Sequence, residues 1–321
     1  MQERIRWGIL GTGSIARKFA ADLALLPDAE LAAVGSRSAE SAETFGAEFH
    51  IPRRHPTYEA LVADPAVDAV YVANTNQAHR DSTLLCLEHG KAVLCEKPFA
   101  LNAREAETMV ACAKRRGVFL MEAMWTRYFP LSARMIELLR DGAIGEIRQI
   151  DASFCFGGAP KPDGRLMNPQ LGGGSLLDVG VYPVAWARMI LDESPAVVRA
   201  VQTPSGTGVD AQAAILFRYA TGALARLTCA VTVKTRNDAT VYGSKGLLRM
   251  PEPFWRPETL ILERDGQEEL FSDPKNGHGY FHEAREVMRC LRAGQFESPA
   301  WPLATTLAVM QTLDRIRAEM A

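Results

Sequence analysis

The 321-residue chain is 47% hydrophobic and 23% charged, with a net charge of −2, the profile of a globular protein long enough for two domains. It has no long basic run and no apolar run of membrane-spanning length, so neither nucleic acid nor a membrane is an expected partner. The six cysteines are scattered, with no Cys-x-x-Cys and no His at metal-ligand spacing. They read as reduced, packed thiols of a cytoplasmic protein without a metal site. Residues 1–7 are charged and run straight into an apolar strand, leaving no room for a signal peptide.

The first apolar strand leads into Gly11-Thr12-Gly13-Ser14-Ile15-Ala16 and then into a segment of helical spacing. Strand, glycine turn and helix in this order are the context of a dinucleotide fingerprint. Gly11 permits the tight turn, Gly13 admits a pyrophosphate to the backbone, and Ala16 lets helix and strand pack closely; the helix N-terminus offers free N–H groups. A second strand over residues 30–35 ends at Ser36-Arg37-Ser38, where an NAD site usually carries an acid. A guanidinium between hydroxyls suits the 2′-phosphate of NADP(H) better than the bare ribose of NAD.

Two more apolar strands, 69–73 and 92–95, flank a helix and extend the parallel β-α-β pattern. The first ends in Asn74-Thr75-Asn76-Gln77-Ala78-His79. Asn76 and His79 can touch the cofactor ribose or the substrate, or serve as a helix N-cap and a solvated first-turn residue. The second ends in Glu96-Lys97-Pro98, which puts a charge at the crevice edge of an open α/β sheet and makes Lys97 the first candidate for chemistry. A helix over 102–116 and a strand over 118–121 complete a nucleotide-binding domain of residues 1–123.

From residue 124 onward the pattern changes. A helix (131–140) and a strand (147–156) precede Gly172-Gly173-Gly174-Ser175, which opens a helix carrying Asp178 and Tyr182 at i and i+4, on one face. Alternating strands at 210–219, 222–231, 237–243, 247–250, 259–263 and 268–271 follow, joined by short turns, and helices at 278–292 and 303–319 end the chain. The fold class is α/β: an N-terminal Rossmann domain with a parallel sheet, then an α+β domain over 124–321 with a large open, mostly antiparallel sheet. Both faces of that sheet carry apolar residues, so helices are expected on one face and a second copy, as a homodimer, on the other.

The glycine fingerprint, Ser36-Arg37, Glu96-Lys97-Pro98, the Asp178/Tyr182 pair and Gly243-Ser244-Lys245-Gly246 together resemble the glucose-fructose oxidoreductase/inositol dehydrogenase/MocA family along nearly the full chain. The blocks at 121–130 and 172–182 most resemble its dimeric dihydrodiol dehydrogenase branch, whose members also oxidise D-xylose with NADP. Many family members carry His where this chain has Tyr182, and the Thr-Pro-Asn common elsewhere in the family is replaced by Asn74-Thr75-Asn76. His79 matches the family.

The resemblance implies hydride transfer between NADP(H) and a CH–OH carbon of a sugar, polyol or trans-dihydrodiol. It places Lys97 and Tyr182 at the reacting carbon, with Asp178 orienting a substrate hydroxyl or the lysine and Glu96 bracing the loop. A phenol is a poor base at neutral pH unless a cation stabilises its anion; Lys97 can be that cation, or the base itself. Gly11, Thr12, Gly13, Ser14, Ile15, Ser36, Arg37, Asn74, Asn76, His79, Glu96 and Lys97 form the expected cofactor site. Trp125, Phe154, Trp255 and Phe281 can form an aromatic wall for an apolar ring or a sugar's C–H face, and Arg127 can bind substrate hydroxyls or cap an interdomain contact. Two other readings stand beside this one: a non-catalytic NADP sensor, and an NAD-dependent redox glycosidase.

Overall fold

A computed structural model describes residues 4–320; residues 1–3, part of the charged start, lie outside it. The chain divides into two compact units, one of residues 1–125 with 275–306, the other of residues 126–274 with 307–321. The sequence reading carries the second domain unbroken from 124 to 321, whereas residues 275–306 pack with the first unit. The physical reason lies in buried polar ties. Asp22 accepts the backbone N–H of His278 (2.7 Å) and of Tyr280 (2.8 Å), and Glu122 accepts Trp301 Nε1 and Thr306 Oγ1, both at 2.9 Å.

The first unit runs β1 (Ile5–Leu10), α1 (Ser14–Leu23), β2 (Ala29–Gly35), α2 (Ala39–Glu48), β3 (Arg53–His55), α3 (Tyr58–Ala63), β4 (Ala69–Val72), α4 (His79–Glu88), β5 (Ala92–Glu96), α5 (Ala103–Arg116) and β6 (Leu120–Ala123). Among the described residues these strands form a six-stranded parallel sheet of order β3-β2-β1-β4-β5-β6. β4 and β5 are buried throughout, as strands covered on both faces must be. The chain order reverses between β1 and β4, so the crevice at their C-terminal ends is the switch point where such sheets take ligands. β3, charged and short, has no apolar signature. β6 begins at Leu120 and not at Val118, because its register runs from Val93↔Leu120 to Glu96↔Ala123 and draws buried Glu122 into the strand.

The second unit contains α6 (Pro130–Arg140), β7 (Ile147–Cys155), α7 (Val181–Leu191), β8 (Val197–Pro204), β9 (Asp210–Arg218), β10 (Leu224–Ala230), β11 (Ala239–Gly243), β12 (Gly246–Met250), β13 (Thr259–Arg264) and β14 (Gln267–Ser272). The strands make an eight-stranded sheet, β14-β13-β12-β11-β7-β10-β9-β8, antiparallel except for the β7/β10 pair. On the inner face Ala213, Ile215 and Phe217 of β9, Leu227 and Cys229 of β10 and Ile150 of β7 are buried, and apolar α7 packs there. On the outer face Val201, Leu216, Leu224 and Tyr242 remain exposed. The chain ends with α8 (Phe281–Arg292) and α9 (Leu303–Met320). α8 starts three residues later than the expected 278, because Asp22 holds the N–H groups of His278 and Tyr280 outside the helix. No helix among the described residues is long and apolar enough to cross a membrane, and all six cysteines are buried and unpaired.

Candidate functional site

In the first unit, buried β1 delivers the chain to Gly11, which has φ +104°. A β-carbon at Gly11 would lie 2.9 Å from the Ala73 carbonyl oxygen, so only glycine lets this turn close against the end of β4. Around Gly13 the space is open. Gly13 is the N-cap of α1, no side chain caps the helix, and no acid lies in its first turn. Thr12 and Ile15 are half-buried, Ser14 is exposed, and Ala16 packs with no exposure. Free N–H groups, a positive dipole end and room beside Gly13 fit a dinucleotide pyrophosphate. At the end of β2, Ser36 is buried while Arg37 is exposed and has no ion-pair partner among the described residues. The nearest acid along the chain, Glu40, lies in the first turn of α2.

The Lys97 loop is built from below. Tyr71, fully buried on β4, donates its hydroxyl to Glu96 Oε1, and Glu96 Oε2 accepts the backbone N–H of Lys97 at 3.1 Å. Burial and the adjoining Glu96 carboxylate raise the Tyr71 phenol well above its ordinary pKa, which keeps it a donor. Glu96 thus braces the loop. The bond between Lys97 and Pro98 is cis. His79, 1% exposed, binds the Pro98 carbonyl through Nδ1 at 2.8 Å and the Asn74 carbonyl through Nε2 at 3.3 Å. It therefore ties the ends of β4 and β5 together and is not a solvated first-turn residue. Asn76 opens a short 3-10 turn (Asn76–Ala78) and does not cap α4, whose N-cap is Ala78. Asn74 Nδ2 donates to Ser82 Oγ at 2.7 Å, which leaves Asn74 Oδ1 buried with no partner and available to a ligand's donor.

In the second unit, Asp178 falls in a π-helical turn (Leu176–Gly180) and Tyr182 in the first turn of α7, so the expected single α-helix is two joined elements. Wide turns of this kind recur at functional sites. Close packing shapes it: a β-carbon on Gly180 would stand 2.9 Å from Cys229 Sγ, and Asp210 Oδ2 accepts both Ser175 Oγ (2.7 Å) and Leu176 N (2.6 Å). Asp178 is paired with Arg165, whose Nη1 lies 2.6 Å from Oδ1. Tyr182 is 6% exposed.

Phe154 at the end of β7 stacks on Trp255 with ring centroids 3.4 Å apart and lies 5.2 Å from the Tyr182 ring. Thr126 Oγ1 donates to the Trp255 carbonyl at 2.8 Å and fixes its position. The two other expected wall aromatics belong to the first unit. Trp125 stacks on Tyr280 (4.4 Å), and Phe281 packs beside His282 (4.0 Å) with the Arg285 guanidinium 5.3 Å from its ring centroid. Arg127 is half-buried in the 3-10 turn Trp125–Tyr128. Sequence reasoning missed Tyr71, Thr126, Arg165 and Asp210. Tyr71 is indistinguishable from core in an apolar run, Arg165 lies in an aperiodic loop, and the other two offer no spacing signal.

These elements define a Rossmann-type dinucleotide-binding domain followed by a second unit built on a large, mostly antiparallel sheet. Residues 5–124 match the oxidoreductase family with an NAD-binding Rossmann fold, and residues 132–249 match the GFO/IDH/MocA C-terminal domain. The chain belongs to the Gfo/Idh/MocA oxidoreductase family. It is 38% identical over 324 residues to the trans-1,2-dihydrobenzene-1,2-diol dehydrogenase of Mus musculus, covering 98% of this chain and 96% of that one, and 37% identical to the Homo sapiens protein at the same coverage. Among solved structures it is similar to a 3-ketoreductase from Actinomadura kijaniata in complex with TDP-benzene and NADP (30% identity, TM-score 0.87, covering 99% of this chain and 98% of that one). It is also similar to the aldose-aldose oxidoreductase of Caulobacter crescentus complexed with glycerol (27% identity, TM-score 0.90, covering 99% and 97%).

Proposed function

We propose that this chain is an NADP-dependent dehydrogenase/reductase acting on a CH–OH carbon of a sugar, polyol or trans-dihydrodiol. The first unit binds the dinucleotide, and the second recognises the substrate and self-associates. The observation that carries the reading is the near-full-length similarity to trans-dihydrodiol dehydrogenases together with Lys97, Asp178 and Tyr182. NADP is supported by the Ser36-Arg37 end of β2, which lacks the acid that would hold a free 2′-hydroxyl, and by the NADP complex of the similar 3-ketoreductase. Six unpaired thiols support a reducing compartment such as the cytoplasm.

NADP(H), when bound, supplies the hydride acceptor or donor. In oxidation the substrate loses its hydroxyl proton as the C–H hydride leaves, so the protein must take that proton. Tyr182 and Lys97 are assigned this step: the phenol oxygen or the amine accepts the proton, and the ammonium form of Lys97 stabilises a phenolate. Asp178 accepts a second substrate hydroxyl. The Phe154/Trp255 stack covers an apolar ring or C–H face.

The test is NADPH formation from NADP across a panel of sugars and trans-diols, with Lys97→Met and Tyr182→Phe alongside. Each variant is expected to lose about a hundredfold or more in kcat while its NADPH affinity survives. Near-normal turnover in either variant overturns the assignment. NADPH binding without turnover of any panel member by the unaltered protein points to a sensor, and sugar release without net cofactor reduction points to a redox glycosidase.

A further inference from the structure

Asp178 is 9% exposed and its carboxylate meets a guanidinium at 2.6 Å, whereas the Arg165 side chain is 45% exposed. An arginine fork carries five N–H donors. One of them, on Nη1, goes to Asp178, and Arg165 makes no other hydrogen bond among the described residues. The rest of the fork therefore stays open to solvent beside a nearly buried acceptor.

The triple glycine explains how an arginine from an irregular loop holds this position. Gly173 N donates to the Asn168 carbonyl (3.0 Å) and Gly174 N to the Leu166 carbonyl (2.9 Å). Any β-carbon on Gly173 would stand 2.8, 2.9 and 3.0 Å from the carbonyl oxygens of Leu166, Asn168 and Arg165. Gly174 has φ +112°, and its β-carbon would meet Asp210 Oδ1 at 2.3 Å. Thr207 Oγ1 secures the same loop at the Met167 carbonyl (2.5 Å). The glycines form a seat for residues 165–168 as well as an entry to the Asp178 turn.

We propose that Arg165 is a specificity-determining residue that, with Asp178, recognises the hydroxyl adjacent to the reacting one. This rests on the oxidoreductase reading above. Each hydroxyl of a vicinal diol both donates and accepts. The second hydroxyl donates to the Asp178 carboxylate while its oxygen accepts from the Arg165 fork. The ion pair is neutral overall, so the matching substrate is an uncharged diol or polyol and not an acid or phosphate. A ring alcohol with one hydroxyl has nothing to offer the pair.

The experiment compares trans-cyclohexane-1,2-diol with cyclohexanol as NADP-linked substrates for the unaltered protein, Arg165→Ala and Arg165→Lys. Loss of a charge-assisted hydrogen bond is expected to raise KM for the diol about ten- to a hundredfold in Arg165→Ala. KM for cyclohexanol and the NADPH dissociation constant stay within about twofold. Arg165→Lys, which keeps the charge but not the planar fork, falls between, and added methylguanidine lowers the diol KM of Arg165→Ala. Equal rises for both alcohols, or no rise for the diol, overturn the proposal. If the unaltered protein turns over neither alcohol, the oxidoreductase reading is decided by the panel of sugars and trans-diols above. Arg165 is then judged by titrating the NADPH complex with trans-cyclohexane-1,2-diol and following tryptophan fluorescence. Diol affinity that Arg165→Ala weakens tenfold supports the assignment, and unchanged affinity, or no diol binding by either protein, overturns it.

Discussion

Glu122 shows what burial does to a single carboxyl. It has no exposure, and both of its side-chain hydrogen bonds, from Trp301 and Thr306, go to Oε2. Burial pushes its pKa from 4.5 up to about 7, against the pull of the Trp301 and Thr306 bonds. The folded state therefore holds a proton that the unfolded chain releases near 4.5. The stability this contributes is fully present below that pH and is lost as pH rises through about 7, roughly 3 kcal/mol in all. Glu283, buried with both oxygens unpartnered and near the Glu96 and Asp22 carboxylates, is shifted in the same direction. Urea denaturation from pH 4.5 to 8 is expected to show the stability of the unaltered protein relative to Glu122→Gln, which carries no titrating proton, falling as pH rises. Groups shifted the other way, such as His282 at about 4, contribute equally to both proteins. Parallel profiles would contradict this account of Glu122. The same burial gives Tyr71 and Glu96 their bracing role beneath Lys97: a buried donor and a buried acceptor meet each other because neither can meet water.

At the scale of elements, glycines set how closely backbones approach. The turn Gly243-Ser244-Lys245-Gly246 joins β11 to β12 and is pinned by Ser244 N to the Glu146 carbonyl and Lys245 N to the Ile144 carbonyl, each at 2.9 Å. A β-carbon on Gly243 would fall 2.0 Å from the Ile144 carbonyl oxygen, which is backbone and has little room to yield. Gly243→Ala is expected to cost about 1–3 kcal/mol, the range of overpacked sites. It would appear as a lower urea midpoint with an unchanged slope, and an unaltered midpoint would show that the turn relaxes freely. The π-helical turn at Asp178 follows the same logic. Gly180 admits Cys229 closely, and Asp210 anchors the entry at Ser175 and Leu176.

At the scale of the whole molecule, the outer face of the eight-stranded sheet is the feature least like a finished surface. Leu216 is 56% exposed, Val201 69% and Leu224 50%, on strands whose opposite face is packed. Exposed apolar residues gathered on one sheet face mark an association site. A homodimer through this face is expected by sedimentation at micromolar concentration, and Leu216→Arg is expected to shift it to monomer. A monomeric unaltered protein would refute the assignment.

Much of this protein was legible in its sequence because the information is local. Alternation and apolar runs locate the strands, the glycine fingerprint marks the start of α1, and the motifs at Lys97 and Tyr182 nominate their residues wherever the chain carries them. Tertiary structure alone decided the rest. Residues 275–306 join the first unit because Asp22 and Glu122, which are ordinary acids in the sequence, become buried acceptors for N–H and O–H groups some 180 to 260 residues away. Phe154 and Trp255 pair while Trp125 turns to Tyr280, since ring contacts obey no spacing rule. Asp178 acquires its cation from a loop without periodicity. Periodicity records which way a side chain faces its own element, whereas partners for buried charge are chosen only when distant segments meet.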